Sequence, residues 1–206
     1  MRVHSSDSYI NLLLPKTLSR HSVPDSERGL IQELSYGSLR WQLQYDAIID
    51  HFTKGKTLSD RVRGALQLGL HQLFRMRIPV HAAINETVNL AKTLEPKAAG
   101  LVNAVLRNSE RAGLESLVEE ICQDSSDTNR LAITYSHPAW VIEALRESMR
   151  LDNREHELTQ LLESNNETPE TYLAAADDAA AAALKHQGLE VSDQSPIGYA
   201  VDGNPE

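Results

Sequence analysis

One thiol, two histidines and an Asn-Glu pair are the residues whose chemistry could support catalysis. Cys122 is the single cysteine. A thiolate attacks well once its pKa is lowered, but the acidic neighbours Glu119, Glu120 and Asp124 would raise it, so Cys122 reads as structural. One cysteine also excludes an intrachain disulfide framework and any multi-cysteine zinc site. His71 and His81 could ligate a metal, yet neither has a second ligand four residues on, the spacing an H-E-x-x-H helix uses. Surface or helix-end roles suit them better. Asn85 with Glu86 could be a catalytic pair, but a helix-start or buried hydrogen-bonding role is the simpler reading. Neither a G-x-G-x-x-G turn nor a P-loop is present.

The basic residues carry more information. Arg40, Arg61, Arg63, Arg75, Arg77, Lys92, Lys97, Arg107 and Arg111 fall in or beside segments with helical apolar stripes. A stripe leaves the opposite face of its helix free, so several of these cations could converge on one patch. Lys and Arg bind phosphate with release of counterions, and Arg can stack on an exposed base. The plain alternative is that they solvate a bundle. The net charge of −9 hides an asymmetry: residues 1–112 hold 15 Lys and Arg against 10 Asp and Glu, a net of +5. Residues 113–206 hold 5 against 19, a net of −14. A basic half joined to an acidic half is a charge asymmetry that bears on partners.

Helices must position these residues. Asp7 is an N-cap candidate for the apolar stretch from Ile10 to Leu14, which Pro15 is expected to end or kink. Asp25 or Ser26 suits the cap of a second helix. Leu30, Ile31, Leu34 and Leu39, then Leu43, Ile48, Ile49 and Phe52, recur at amphipathic spacing. Gly37 interrupts this run, which fits a bend or a close helix contact. Thr57–Asp60 opens a helix carrying Val62, Leu66, Gly69, Leu70 and Leu73, and Ile78-Pro79 stops it. His81–Leu94 supplies the next helix, and Pro96 suits the first turn of another with Leu101, Val102, Val105 and Leu106. Short connections imply a compact bundle.

Beyond Gly113 the reading is a short acidic helix from Leu114 to Cys122, a polar loop over 123–127, and helices at Trp140–Met149 and Glu155–Leu162. Asn165 to Pro169 is a breaker, and the alanine-rich run from Ala174 to Leu184 has high helix propensity. Gly188 suits a C-cap, Leu189–Val191 a short strand, and the chain from Ser192 onward a frayed end that stops as though cut. The hydrophobic share is 41% and the aromatic share 5%, a little under the usual globular range. No apolar run approaches the roughly 18 residues a membrane span needs, and the N-terminus has no signal-peptide core. A soluble, cytoplasmic protein is expected.

Three blocks carry a resemblance. Ser35-Tyr36-Gly37-Ser38-Leu39-Arg40 resembles the Y-G-x-L-R signature of the NusB-like helical domain. Arg75 to Glu86, through Pro79, His81 and Glu86, looks like that domain's R-I-P-x-H-A-A-x-x-E segment. Ala99 to Arg107, through Gly100 and Asn103, is similar to its G-x-V-N-A-V-L-R helix. Gly37 and Gly100 would permit close helix packing, and Asn103 could bond across helices. Such domains occur alone, as transcription antitermination factors, and fused to ribosomal RNA cytosine-5 methyltransferases of the RsmB (Sun/Fmu) type. Ser136-His137-Pro138-Ala139-Trp140 looks like the methyltransferase S-H-P-x-W block, and Asn165-Asn166 with Pro169 resembles its N-N-x-x-P. The resemblance covers roughly residues 5–170.

Three departures qualify it. The family's basic R-x-N segment is replaced by Tyr172 to Asp177, without Arg or Asn. The methyl-donor domain with its two cysteine motifs has no counterpart, and Cys122 matches neither motif. The family's first helix usually begins before the position of Met1.

The resulting expectation is an all-α fold. Residues 1–112 form a NusB-like RNA-binding bundle, and residues 113–206 form an acidic, mainly helical extension entering a truncated second domain. The resemblance implies RNA binding, with small-subunit ribosomal RNA as partner. It implies S-adenosylmethionine for the parent family, but no cofactor, metal or catalysis in this chain. Two other functions stay open: an antitermination factor acting with a ribosomal protein, and a helical module that docks a separate catalytic domain.

Overall fold

The computed structural model describes residues 9–167, 171–192, 195 and 197–201. The chain forms two compact units, Met1–Ser164 and Asn165–Glu206. The first contains α1 (Ile10–Arg20), α2 (Asp25–Arg40), α3 (Gln42–Thr53), α4 (Asp60–Arg75) and α5 (Val80–Leu94). It continues with α6 (Ala99–Ala112), α7 (Leu114–Ile121), α8 (Asp127–Thr134), α9 (Ala139–Leu151) and α10 (Leu158–Ser164), with 3-10 turns at Pro96–Ala98 and Glu155–Glu157. No strand occurs among its described residues.

α4 is the axis of the bundle, packing against α2, α3, α5 and α6. Its start is fixed chemically: the Val62 N–H donates to the Ser59 hydroxyl at 3.4 Å, and Asp60 places a carboxylate in the first turn. Its stop is Met76, which turns extended ahead of Ile78-Pro79. Val62, Ala65, Leu66 and Leu70 are buried, and the main core joins them to Tyr45, Ile48 and Ile49 of α3, Ile84 and Ala91 of α5, and Val102, Val105 and Leu106 of α6. Full burial of each such side chain stabilises by about 1.5–3 kcal/mol. Leu117 of α7 completes this core. A second, smaller core of Ile142, Leu158 and Leu162, with Leu131, Leu145 and Met149 against it, holds α8, α9 and α10 together.

α3 and α4 run antiparallel, and their polar pairs show it. Going down α3, Trp41 and Gln44 meet Arg75, Tyr45 meets His71, Asp46 meets Gln67 and Arg63, and Asp50 meets Arg63.

Several expectations change. Asp7 lies outside the described residues. α1 is not ended by Pro15; it runs on to Arg20, because Leu14 and Leu18 bury one turn apart across the missing N–H. Neither Asp25 nor Ser26 caps α2: Pro24 holds the cap position and Asp25 pairs with Arg28 at 3.1 Å. α2 passes straight through Gly37, whose role is the close contact and not a bend. Part of the polar stretch at 123–127 is instead the start of α8, where Ser126 accepts from the Asn129 N–H at 3.3 Å. Gly100 permits no close approach, since a Cβ there would meet nothing within 4 Å. Gly69 does: a Cβ on it would lie 2.8 Å from Thr87 Cγ2 and 3.0 Å from Leu106 Cδ2.

The second unit holds β1 (Thr171–Ala174), α11 (Asp178–His186) and β2 (Gly198–Val201). The strands are antiparallel, with Tyr172 opposite Ala200 and Leu173 opposite Tyr199. The helix therefore does not start at Ala174. The backbone there is in the sheet, and Asp177 caps α11 by accepting from the Ala180 N–H at 2.8 Å. Gly188 ends α11 as expected, at φ +83°, with the Leu189 N–H reaching Leu184 O and the Gly188 N–H reaching Lys185 O. Leu189–Val191 contributes one bridge, Val191 to Tyr199, and no named strand. The tail expected to fray is ordered at 198–201, where Tyr199 is buried. Pro169 lies outside the described residues.

Candidate nucleic-acid interface

The crossing at Gly69, Thr87 and Leu106 fixes where the cations fall. Ser59 Oγ donates to Glu95 Oε2 at 2.7 Å, which puts the start of α4 beside the end of α5. α4 and α5 are thus antiparallel, and the short turn at Pro96–Ala98 reverses the chain again into α6. At 1.5 Å rise per residue, Arg75 lies about 9 Å from the crossing in one direction and Arg61 about 12 Å in the other. By the same count His81 and Arg111 fall toward the Arg75 end, with Arg77 in the connection there and Arg107 near the crossing. Lys92 and Lys97 fall toward the Arg61 end. Arg40, the last residue of α2, joins the Arg75 end, because the next residue, Trp41, has the Arg75 guanidinium over its ring. The cations therefore fall mainly into two groups toward opposite ends of the bundle, with several gathered at the Arg75 end.

The cations also differ in what holds them. Arg63 donates to Asp46 at 2.8 Å and to Asp50 at 2.6 Å, joining α4 to α3. Arg107 Nε donates to Asn103 Oδ1 at 3.1 Å within α6, so Asn103 bonds along its own helix and not across to another. Arg61, Arg77, Lys92, Lys97 and Arg111 are exposed. Arg75 is exposed as well, but its guanidinium lies over the Trp41 ring, 3.5 Å from Cζ to the ring centroid, and its Nη2 donates to Gln44 Oε1 at 2.9 Å. Gln44 is itself pinned, its amide donating to the carbonyls of Thr134 at 2.9 Å and Ile133 at 3.3 Å.

Near Arg75 the buried ring of His71 links the buried Tyr45 to the exposed carboxylate of Glu33. His71 Nε2 lies 3.1 Å from Glu33 Oε1, and Nδ1 lies 3.0 Å from the Tyr45 hydroxyl. A carboxylate only accepts, so Nε2 carries the proton toward Glu33 and Nδ1 accepts from Tyr45. Burial holds the His71 pKa below its ordinary value, with Glu33 opposing. Burial likewise pushes the Tyr45 hydroxyl far above its ordinary range, with Arg75 opposing. Gly37 makes room for the ring: a Cβ there would come 2.2 Å from His71 Nε2. His71 is thus a core residue, not the surface or helix-end histidine expected, whereas His81 is exposed near the start of α5. Glu86 and Asn85 sit inside α5 and are exposed, neither at its start nor buried. Cys122 is buried, and burial is what raises its thiol pKa, with Arg130 opposing.

The remaining motif residues have structural work. Pro79 occupies the cap position of α5, its carbonyl accepting from Ala82 and Ala83 N–H. Ser136 turns left-handed at φ +54°, and its hydroxyl accepts from the Leu43 N–H at 3.1 Å. The His137 ring N–H at Nδ1 donates to Tyr135 O at 2.7 Å, and Pro138 caps α9. This block therefore reverses the chain and fastens it to the start of α3. Trp140 is 71% exposed.

A family model described as the NusB family matches residues 2–111. The chain belongs to the NusB family. It is similar to the ribosomal RNA small subunit methyltransferase B of Pseudomonas syringae, at 40% identity over 147 residues, covering 70% of this chain and 31% of that protein. The proteins of the same name from Vibrio cholerae and Yersinia pseudotuberculosis are 35% and 32% identical, covering 75% and 80% of this chain and 34% and 35% of theirs. The chain spans about a third of the length of these curated relatives.

Among the described residues of this NusB-family chain, no group of three or more His, Cys, Asp or Glu is placed to hold a metal ion, and no helix is long and apolar enough to cross a membrane. Among the described residues, a recess of about 460 Å³ opens between α9 and α10. Long side chains such as Met149, Arg154 and Glu157 line it, Arg154 is paired with Glu157 at 2.6 Å, and no glycine opens the backbone to a ligand.

Sequence reasoning missed Trp41, Gln44, Tyr45 and Asp46. An aromatic directly after Arg40 was the available signal, since Trp41 begins the i, i+4 series through Tyr45 and Ile49 that faces α4.

Proposed function

We propose that this chain is the RNA-binding helical module of a small-subunit ribosomal RNA methyltransferase, and that it does not catalyse methyl transfer by itself. The observation that carries the reading is the arginine-bearing end of the bundle: Arg40, Arg75, Arg77 and Arg111 gather there, with the Arg75 guanidinium over the Trp41 ring. The family match and the printed names of the relatives support it. Residues 1–112 act as the binding part and residues 113–206 as the acidic continuation. The chain works in the cytoplasm with ribosomal RNA, and S-adenosylmethionine chemistry belongs to the parent enzyme's other domains.

The test is fluorescence anisotropy of the full chain with a labelled small-subunit ribosomal RNA hairpin over a salt series. Replacing Arg75, Arg77 and Arg111 together by Gln is expected to weaken binding more than tenfold. It should also flatten the salt dependence by about two units in log–log slope. Replacing Arg61, Lys92 and Lys97 by Gln is expected to change it less than threefold. Equal effects at the two ends would overturn the assignment of the site, and no binding by the parent chain at low salt would overturn the function.

A second reading has its own observation. On α9, Trp140 and Leu151 stand 71% and 72% exposed, and eleven residues bring them within about 20° of one helical face. A helical module docking a separately encoded catalytic domain would use that face. Trp140→Ser would then abolish complex formation while leaving RNA binding intact.

A further inference from the structure

We infer that the outer face of the Arg75 guanidinium is a stacking seat for one unpaired RNA base. This rests on the RNA-binding reading above and adds the class of ligand and the mode of contact. An arginine that serves as a phosphate clamp needs free N–H edges and freedom to turn them. Arg75 has neither in full. The Trp41 ring covers one face at 3.5 Å from Cζ, and Nη2 is committed to Gln44 Oε1 at 2.9 Å. Gln44 is buried and cannot swing away, because its amide is bonded to Thr134 O and Ile133 O. The plane of the guanidinium is therefore fixed before any ligand arrives, and ordering it costs binding little.

What remains open is the opposite π-face. Arg75 is exposed, and no carboxylate pairs with it among the described residues. A weakly hydrated planar cation with an exposed face is a stacking surface for nucleobases, whichever base is presented. Duplex RNA keeps its bases stacked on one another, so the seat selects loops, bulges or ends. The neighbours suit the backbone of such a strand. Arg77 follows two residues on, beyond the extended Met76, at most about 7 Å along the chain. Arg40 stands close enough to act on the same His71. These two cations would take phosphates while Arg75 takes the base.

Arg75→Lys separates the two kinds of contact, since lysine keeps the charge but has no plane to stack. The full chain and this variant are titrated with a small-subunit ribosomal RNA hairpin carrying 2-aminopurine in its loop, and with a fully paired duplex of equal length. Thermal midpoints confirm that both proteins are folded. The expected result is a roughly 5- to 10-fold weaker affinity of the variant for the hairpin, loss of the 2-aminopurine quench, an unchanged salt slope and unchanged duplex affinity. Equal hairpin affinity for the two proteins would show that Arg75 merely pins α4 to α3, and would overturn the inference. Equal weakening on hairpin and duplex would make Arg75 a phosphate contact and also overturn it. Failure of the parent chain to bind either RNA would remove the RNA-binding reading and this inference with it.

Discussion

Between Asp127 and Ser164 three of the four arginines are neutralised where they stand, Arg130 being the exception among the described residues, whereas in α2–α6 most are not. Arg146 pairs with Asp127 and Glu155, Arg150 with Glu147, and Arg154 with Glu157. Among the described residues of the bundle, Arg28 and Arg63 are the arginines held by carboxylates, while Arg75 rests on an aromatic ring and an amide. The two regions differ in core as well, thirteen buried residues against three. A rigid scaffold with unspent cations can hold a polyanion. A lightly cored segment whose cations are mostly spent offers a polyanion few free charges. The comparison teaches that the net charge of a chain says less about its partners than which of its cations already have one.

If the bundle is the scaffold, damage to its core should be global. Leu66→Ala in α4 removes a fully buried side chain and is expected to cost about 3–5 kcal/mol, enough to shift the urea midpoint of the whole first unit. Ile142→Ala should separate the regions. It is expected to cost about 2–3 kcal/mol, with faster hydrogen exchange confined to 127–164 and the α3–α6 amides unchanged. Loss of protection in both regions would show that the two cores unfold as one and would break the comparison.

Gly37→Ala tests the tight packing around His71. The added methyl would overlap the imidazole, so a loss of about 2–3 kcal/mol is expected by thermal denaturation, whereas Gly100→Ala, in open space, should be neutral or slightly stabilising.

Much of the fold was legible, and the failures have physical causes. Helices α3 to α6 were readable because their buried positions recur at three- and four-residue steps, and because Pro79, Pro96 and Gly113 mark their ends. α8 was missed because it is eight residues long, has no buried residue and begins inside a run of turn-forming side chains. The alanines at 174–176 were misread because helix propensity is weak against the pairing of Ala174 with Gly198, a partner more than twenty residues away. Of the candidate site, the types and number of the cations were visible, but not their division between two ends. That division depends on the Gly69–Thr87–Leu106 crossing, a three-body contact with no local signature. Nor could spacing show that Arg63 is spent on Asp46 and Asp50.

The buried His71 gives a pH test of the scaffold. His71 has its pKa lowered in the folded state by burial, so the unfolded chain binds its proton more readily. The groups around the ring are Glu33 from α2, Tyr45 from α3, Arg75 from α4 itself and Arg40 at the end of α2. Stability from this site is whole above the ordinary histidine pKa of about 6.5 and declines as pH falls below it. Urea midpoints measured from pH 7.5 to 5.5 should decrease, and His71→Gln should be less stable at pH 7.5 but show a flatter profile. A variant profile parallel to that of the parent chain would assign the pH dependence to other groups.

The smallest effects sharpen the contrast between spent cations in the two regions. Arg63 is partly buried, bridges two carboxylates of a neighbouring helix and shares Asp46 with Gln67. Arg63→Ala is expected to cost about 1 kcal/mol, because Asp46 keeps one hydrogen bond and Asp50 returns to water. Arg150 pairs with Glu147 one turn away on the surface of α9, where solvent screens the pair and side-chain entropy offsets it. Arg150→Ala should leave the denaturation midpoint unchanged. In the RNA titration neither substitution should move affinity more than about twofold, since both charges are already compensated within the protein. A marked loss of RNA binding in Arg63→Ala would mean that an internally paired cation still contributes to the phosphate field. The two ends of the bundle would then have to be treated as one continuous surface.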